Sequence, residues 1–314
     1  MLSRTADSLF WMTRYVERAE NIARVLHATS RMSLMPHISN EEPMAEWLSA
    51  LSATASYNAF FEQYDEATPE RVVEFLAFSE ANPSSIFRCL SNARANARAV
   101  RTALTSDTWE AINGAWMEMQ RFRRDAVAPS DINRFASWVK DVSLNVDGSA
   151  FRTMLRNDGF CMQRLGVYIE RADATARILD VKYHILLPAH EPVGGGLDYL
   201  QWSSILRAVS AHTAYRWVYR SSIKPWLVAE LLILREEMPR SLASCYSNIT
   251  YHLDELGRTY GRQGESQRQA RRIYSRLKNG RTEEIYQTGL HEFLTEFLAE
   301  NGRLGAAITE QYLI

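Results

Sequence analysis

Glu17, Glu20 and Arg24 stand at i, i+3 and i+7 of one apolar stretch, and Glu170, Asp173 and Arg177 repeat that spacing about 153 residues later. On a helix each trio shares one stripe, with Glu20 and Arg24, and likewise Asp173 and Arg177, in i,i+4 ion-pair register. Arg18 and Arg171 project to another side, near Tyr15 and Tyr168. Two chemistries fit this set. Packed face to face, the two copies would gather Glu17, Glu20, Glu170 and Asp173 into a four-carboxylate metal site suited to Mg²⁺ or Mn²⁺ and to hydrolysis of a nucleotide or phosphoanhydride. Alternatively, the arginines neutralise the carboxylates through bidentate bridges and the network is structural. No cofactor other than Mg²⁺ or Mn²⁺ is suggested. A di-iron centre of the ferritin-like kind needs E-x-x-H pairs, and none of the seven histidines stands three residues after a Glu in either copy.

Two further groups could bind anions. Arg94, Arg98 and Arg101 are spaced i, i+4 and i+7, and the run Arg258 to Arg281 holds eight basic residues, among them Arg268, Arg271, Arg272 and Arg276, against one acid, Glu265. Such runs serve as solvated faces or, in a minority of cases, as phosphate or RNA contacts. His27, His184, His212 and His252 occur singly and read as packed or surface residues; Cys89 and Cys245 read as small buried hydrophobes. The chain carries no glycine-rich phosphate loop, G-x-S-x-G or Cys/His nucleophile arrangement.

The elements that must position these groups are helices. With 314 residues, 46% hydrophobic and 23% charged, but only 14 Gly and 9 Pro, the chain suits an all-α fold better than a turn-rich sheet. Around Leu9–Leu26, apolar residues cover most of the circumference, which predicts a buried central helix. Charges on such a helix are costly unless paired. In chain order the patterns predict helices from the Thr5/Asp7 region to Ser33, over 44–64, from Pro69 (capped by Thr68) to the Asn82-Pro83 stop, over 85–104 after a Ser84 or Ser85 cap, over 108–124, over 131–142, and later over 265–279 and 283–314. Pro36–Pro43 and Pro192–Gly196 are expected loops.

The second half writes the same order again. Trp47, Leu51, Ala53, Phe60 and Tyr64 correspond to Trp202, Leu206, Ala208, Tyr215 and Tyr219, and Glu74, Pro83, Ser85, Cys89 and Asn92 to Glu230, Pro239, Ser241, Cys245 and Asn248. Three blocks in one order point to a tandem duplication: a helical body with approximate internal two-fold symmetry, 1–153 forming one half and 154–314 the other. The seam Leu9, Met12, Val16, Ala19, Ala23 and Leu26 returns as Met162, Leu165, Ile169, Ala172, Ala176 and Leu179, and its small residues allow close helix approach.

A net charge of −1 exerts no global pull toward nucleic acid or anionic membrane. The longest apolar run, Trp226–Leu234, contains Glu230 and is far short of the roughly 20 residues a spanning helix needs. Three scattered cysteines and no secretory-type leader suit a cytoplasmic location.

The segments LSRTADSLFWMTRYVERAENIARVL, NPSSIFRCLSNARANARAVR and LRNDGFCMQRLGVYIERADATARIL together resemble the bacterial alpha-E family over essentially the whole chain. That resemblance implies an all-helical protein encoded beside a circularly permuted ATP-grasp ligase and a transglutaminase-like protease, with a part in peptide synthesis or protein tagging. The glutamates emphasised by the family map onto Glu17 and Glu170. Val167 stands where the resemblance implies a basic residue like Arg14, so the second copy is expected to be weaker or asymmetric.

Overall fold

The computed structural model describes residues 1–33, 44–125, 131–184 and 195–313; both expected loops fall wholly or largely outside them. The described residues form fifteen α-helices, with no strand among them. Helices α1 (Ser3–Ser33) and α8 (Asp158–His184) pack more extensively on each other than any other pair. On α1 lie α5 (Ile86–Ala99) and α7 (Ile132–Thr153), bridged by α6 (Ser106–Asp125). On α8 lie α12 (Leu242–Tyr260) and α15 (Leu290–Ile308), bridged by α13 (Glu265–Asn279). The short helices α2 (Ala45–Ala53), α3 (Tyr57–Phe61) and α4 (Pro69–Ala77), then α9 (Gly196–Ala208), α10 (His212–Tyr219) and α11 (Pro225–Ile233), form the remaining connections. Helix α14 (Thr282–Thr288) leads into α15, and a π-helical turn, Thr309–Leu313, returns to α1. No described helix is long and apolar enough to cross a membrane.

The α1 and α8 seams are the centre of the core: Leu9, Ala19, Ala23 and Leu26 are fully or almost fully buried, as are Leu165, Ile169, Ala172 and Ala176. A close approach outside these seams lies at Gly166, where an added Cβ would stand 2.3 Å from both the Phe10 carbonyl oxygen and Thr13 Oγ1. Thr13 Oγ1 also donates to the Gln163 carbonyl at 2.9 Å, tying the two helices at their crossing.

Several expected helices have different limits. The span 44–64 is broken between α2 and α3 because Ala55 adopts φ 54° and closes α2 with a Schellman pattern: Ser56 N–H donates to the Leu51 carbonyl, 2.8 Å, and Ala55 N–H to that of Ser52. Ser210, φ 58°, ends α9 the same way, with Ala211 N–H on the Leu206 carbonyl at 2.7 Å. Neither stop uses glycine, the residue that would have marked it. Helix α7 continues past 142 to Thr153 because Val139, Ser143, Val146 and Ala150 stay buried at helical spacing. The 85–104 span ends at Ala99, with a 3-10 turn at Arg101–Ala103, and the last span is split at Gly289, φ 99°.

The cap expected before α5 forms at Ser85, its aligned counterpart Ser241 caps α12, and both do more than cap. Ser85 Oγ accepts from Arg88 N–H and donates to the Ser79 carbonyl at 2.6 Å; Ser241 Oγ accepts from Ser244 N–H and donates to the Arg235 carbonyl, also at 2.6 Å. Both serines are fully buried, so alanine removes a cap and orphans a carbonyl as well. Ser85→Ala and Ser241→Ala are each expected to cost about 2 kcal/mol, read as a lower urea midpoint at unchanged m-value.

Candidate functional site

Where α1 meets α8, the charged residues sort into two clusters. In the first, Glu17 is 3% exposed and accepts from Arg171 Nε and Nη2, both at 2.9 Å, and from Arg240 Nη1 at 3.0 Å. The other terminal nitrogen of Arg240 reaches Glu20 Oε1 at 2.5 Å. Glu20, 2% exposed, also accepts from Arg24 Nε at 2.7 Å and from Ser143 Oγ at 2.6 Å. Arg24 goes on to the Ala208 carbonyl and to Ser210 Oγ, so the left-handed residue that ends α9 is held against α1. In the second cluster Glu170, 5% exposed, accepts from Arg18 Nε at 2.6 Å and Nη2 at 3.0 Å, and from Arg14 Nε at 2.9 Å. Asp173 pairs with Arg177 one turn along α8 at 2.6 Å, in a more open position.

The two Glu-Arg dipeptides thus exchange partners. Glu17 holds Arg171, and Glu170 holds Arg18, each by a two-pronged bridge between helices. Each guanidinium also leans on the tyrosine one turn before it, Arg18 at 5.8 Å from the Tyr15 ring centre and Arg171 at 5.6 Å from that of Tyr168. The second arginine on each glutamate comes from a different place. Arg14 on α1 serves Glu170, whereas Val167 cannot serve Glu17, and Arg240, just before α12, takes that position. Thr175 Oγ1 anchors Arg240 through its carbonyl at 2.9 Å. Spacing on the α1 and α8 stripes could not reveal Arg240, because it lies about 60 residues beyond α8's charged stretch and is brought in by the α8–α12 packing.

The four-carboxylate cage does not form. Glu17 and Glu20 lie in one arginine-filled cluster, Glu170 in another and Asp173 against Arg177; among the described residues no group of three or more His, Cys, Asp or Glu is placed to hold a metal ion. Packing each glutamate against guanidiniums is the cheaper solution, since four facing carboxylates in a dry interface would repel.

Burial would raise the carboxyls of Glu17 and Glu170, but the guanidiniums of Arg171 and Arg240 around Glu17, and of Arg18 and Arg14 around Glu170, outweigh it and hold both below the ordinary value of 4.5. Their pKa is depressed in the folded state, so the stability they supply is complete above pH 4.5 and is lost as pH falls through the folded pKa. Thermal midpoints are therefore expected to fall progressively below pH 4.5, and Glu170→Gln is expected to fall less steeply than the parent over that window. The thiols of Cys89 and Cys245 are pushed up to about 12 by burial beside these clusters, and neither is a ready nucleophile.

The candidate anion sites look different in three dimensions. Arg94 is engaged by Asn113 at 2.9 Å, Arg98 is exposed, and Arg101 lies beyond the end of α5 with its guanidinium 5.2 Å from the Trp109 ring centre, so the i, i+4, i+7 stripe is broken. In the later run, acids, most of them from elsewhere in the chain, pair with part of what the linear count left bare. Arg271 pairs with Asp254 at 2.6 Å, Arg272 with Glu300 at 3.6 Å, and Arg276 with Glu296 and closely with Glu300, while Arg268 pairs with Glu265 at 2.6 Å.

A family model for Alpha-E, described as a predicted alpha-helical domain with a conserved ER motif, matches residues 1–313. An uncharacterized protein of Mycobacterium bovis and one of Mycobacterium tuberculosis are each 25% identical to the chain over 314 residues. The match takes in 94% of this chain and 35% of each relative, so the chain spans about a third of the length of the curated relatives it matches. No solved structure matches it.

Proposed function

The chain belongs to the Alpha-E family, and from that premise we propose that it is a helical accessory subunit of an ATP-grasp-type ligase that forms peptide or amide bonds or tags proteins. The ER motif is then Glu17-Arg18 and Glu170-Arg171, acting as a clamp rather than a catalytic centre. One observation carries this reading: both glutamates are buried and each is bound by two arginines, which leaves neither available as a base, nucleophile or metal ligand. The clamp is the product of a tandem duplication that fused halves 1–153 and 154–314 around an approximate two-fold axis. The reciprocal Arg18–Glu170 and Arg171–Glu17 bridges support that origin, as do the matching serine-cap hydrogen bonds and the matching stops at Ala55 and Ser210.

A partner-facing role also accounts for the large aromatics left in solvent on neighbouring helices of the second half. Trp217 on α10 is 80% exposed and Trp226 on α11 is 49% exposed. The length of the mycobacterial relatives is in keeping with this: there a region like this chain is joined to about twice as much additional polypeptide. The test is co-expression with the circularly permuted ATP-grasp ligase of the same genome. The two are expected to co-purify, ATP turnover by the ligase to rise when the chain is added, and Trp217→Glu with Trp226→Glu to weaken association at least about tenfold without lowering the thermal midpoint. Turnover of a nucleotide or phosphoanhydride by the chain alone, or no association with the ligase, would overturn the proposal.

A further inference from the structure

Away from the clamp, the end of α7, the first turns of α8 and the middle of α12 enclose a cleft of about 660 Å³, within the size range of small-molecule sites. Its walls alternate aromatic rings and guanidiniums. Arg156 packs against two rings, 4.2 Å from the centre of Phe151 and 4.0 Å from that of Phe160, and Arg164 stands 4.9 Å from the centre of Tyr168. Large rings lie open at the rim, Phe151 52% and Tyr251 56% exposed.

The charges in the cleft do not cancel. Arg164 is paired with Asp147, and the two lining acids are engaged: Glu255 accepts from Arg258 at 2.5 Å, and Asp158 accepts from Tyr260 Oη at 2.7 Å and lies 3.0 Å from the amino terminus. Arg156 forms no ion pair among the described residues; its Nη2 donates only to the Phe151 carbonyl, at 2.7 Å. A planar cation already resting against two rings is thus presented at the mouth of an aromatic cleft.

His252 adds a polar atom to that wall. It is 7% exposed, lies nearly parallel to Tyr168 with ring centres 6.2 Å apart, and its Nδ1 has no hydrogen-bond partner. Burial, reinforced by Arg164 and Arg156, pushes its pKa down to about 4, so at neutral pH it is an uncharged imidazole. A buried ring nitrogen left unbonded is costly unless something else satisfies it. At the offsets of the internal repeat, Arg164, Tyr251 and His252 correspond to Trp11, Ala95 and Asn96, so the first half has no equivalent set.

We propose that this cleft binds a small molecule consisting of a planar ring that carries one carboxylate or phosphate, the ring packed among Phe151, Tyr168 and Tyr251 and the anion on Arg156. The site stands independently of the ligase reading.

Calorimetric titration of the full chain tests it with four probes: N-acetyl-L-tryptophan and AMP as ring-bearing anions, and N-acetyl-L-tryptophanamide and adenosine as their counterparts without the charge. At least one anion is expected to bind, and its uncharged counterpart to bind at least about tenfold more weakly. Binding by the tryptophan derivative alone identifies the carboxylate form of the ligand, and binding by AMP alone the phosphate form; either supports the site. Arg156→Gln and Tyr251→Ala, both at exposed positions, are each expected to weaken binding at least about tenfold at an unchanged thermal midpoint. Failure of both anions to bind, equal binding of charged and uncharged probes, or binding indifferent to Arg156→Gln would overturn the proposal.

Discussion

Replacing Glu17 by Gln is expected to cost about 3–5 kcal/mol of folding stability, and Glu170→Gln nearly as much. The amide keeps the volume but removes the charge that two guanidiniums share: Arg171 and Arg240 at Glu17, Arg18 and Arg14 at Glu170. These cations are largely buried, and a guanidinium left there without its carboxylate bears much of the desolvation penalty. Glu17 should be the more sensitive of the two. Removing it leaves Arg171, Arg240 and Arg24 crowded around Glu20 alone, and burial together with the proximity of Arg240 already disfavours the charge on Arg24. Denaturant unfolding measures the cost, and a double-mutant cycle with Arg171→Met isolates the bridge. The pair Glu17→Gln/Arg171→Met should lose less than the sum of the single variants, because each change removes the charge that the other leaves stranded. A loss below about 1 kcal/mol for either glutamate, with a change in activity instead, would place the residue in a site rather than in a clamp.

Gly166→Ala is the second large effect, at about 3 kcal/mol. Its new Cβ would meet the Phe10 carbonyl oxygen and Thr13 Oγ1, each at 2.3 Å, far inside contact distance. One of these is backbone, so no side-chain rotation relieves it. The helices must separate instead, and separation stretches both the Thr13–Gln163 hydrogen bond and the flanking two-pronged bridges. Thr13→Ala added to Gly166→Ala removes only the hydroxyl contact and is expected to recover less than half of the loss. The urea midpoints of the three variants test this, with an unchanged m-value showing that the comparison stays two-state. A cost under about 1 kcal/mol for Gly166→Ala would mean that the crossing is looser than its geometry implies.

Much of this was legible in the chain because it rests on local rules. Period-3.6 patterning marked α1 as a buried helix with its seam written again in α8, and Thr68-Pro69 and the serines before α5 announced helix starts. The paired spacing singled out Glu17, Arg18, Glu170 and Arg171, which bridge one another, but it missed Arg14 and Arg240 and took in Asp173 and Arg177, which pair apart from both clusters. Other features had no local signal. The breaks at Ala55 and Ser210 are left-handed stops without glycine, and the extension of α7 is a matter of which faces find cover.

By itself, then, the sequence determined that the protein is all-helical, that two stretches write the same charged motif, and that these charges must be paired wherever they are buried. Only the tertiary structure decided with whom. It crossed the dipeptides, so that each glutamate holds the arginine of the other helix, and it set Gly166 against Thr13 at the contact. Arg240 came from a distant segment to stand in for the basic residue missing at Val167. The physical reason is the range of the forces involved. Helix propensity and amphipathic spacing act over a few residues, whereas the partner of a buried charge is settled by desolvation, which depends on every element that closes around it.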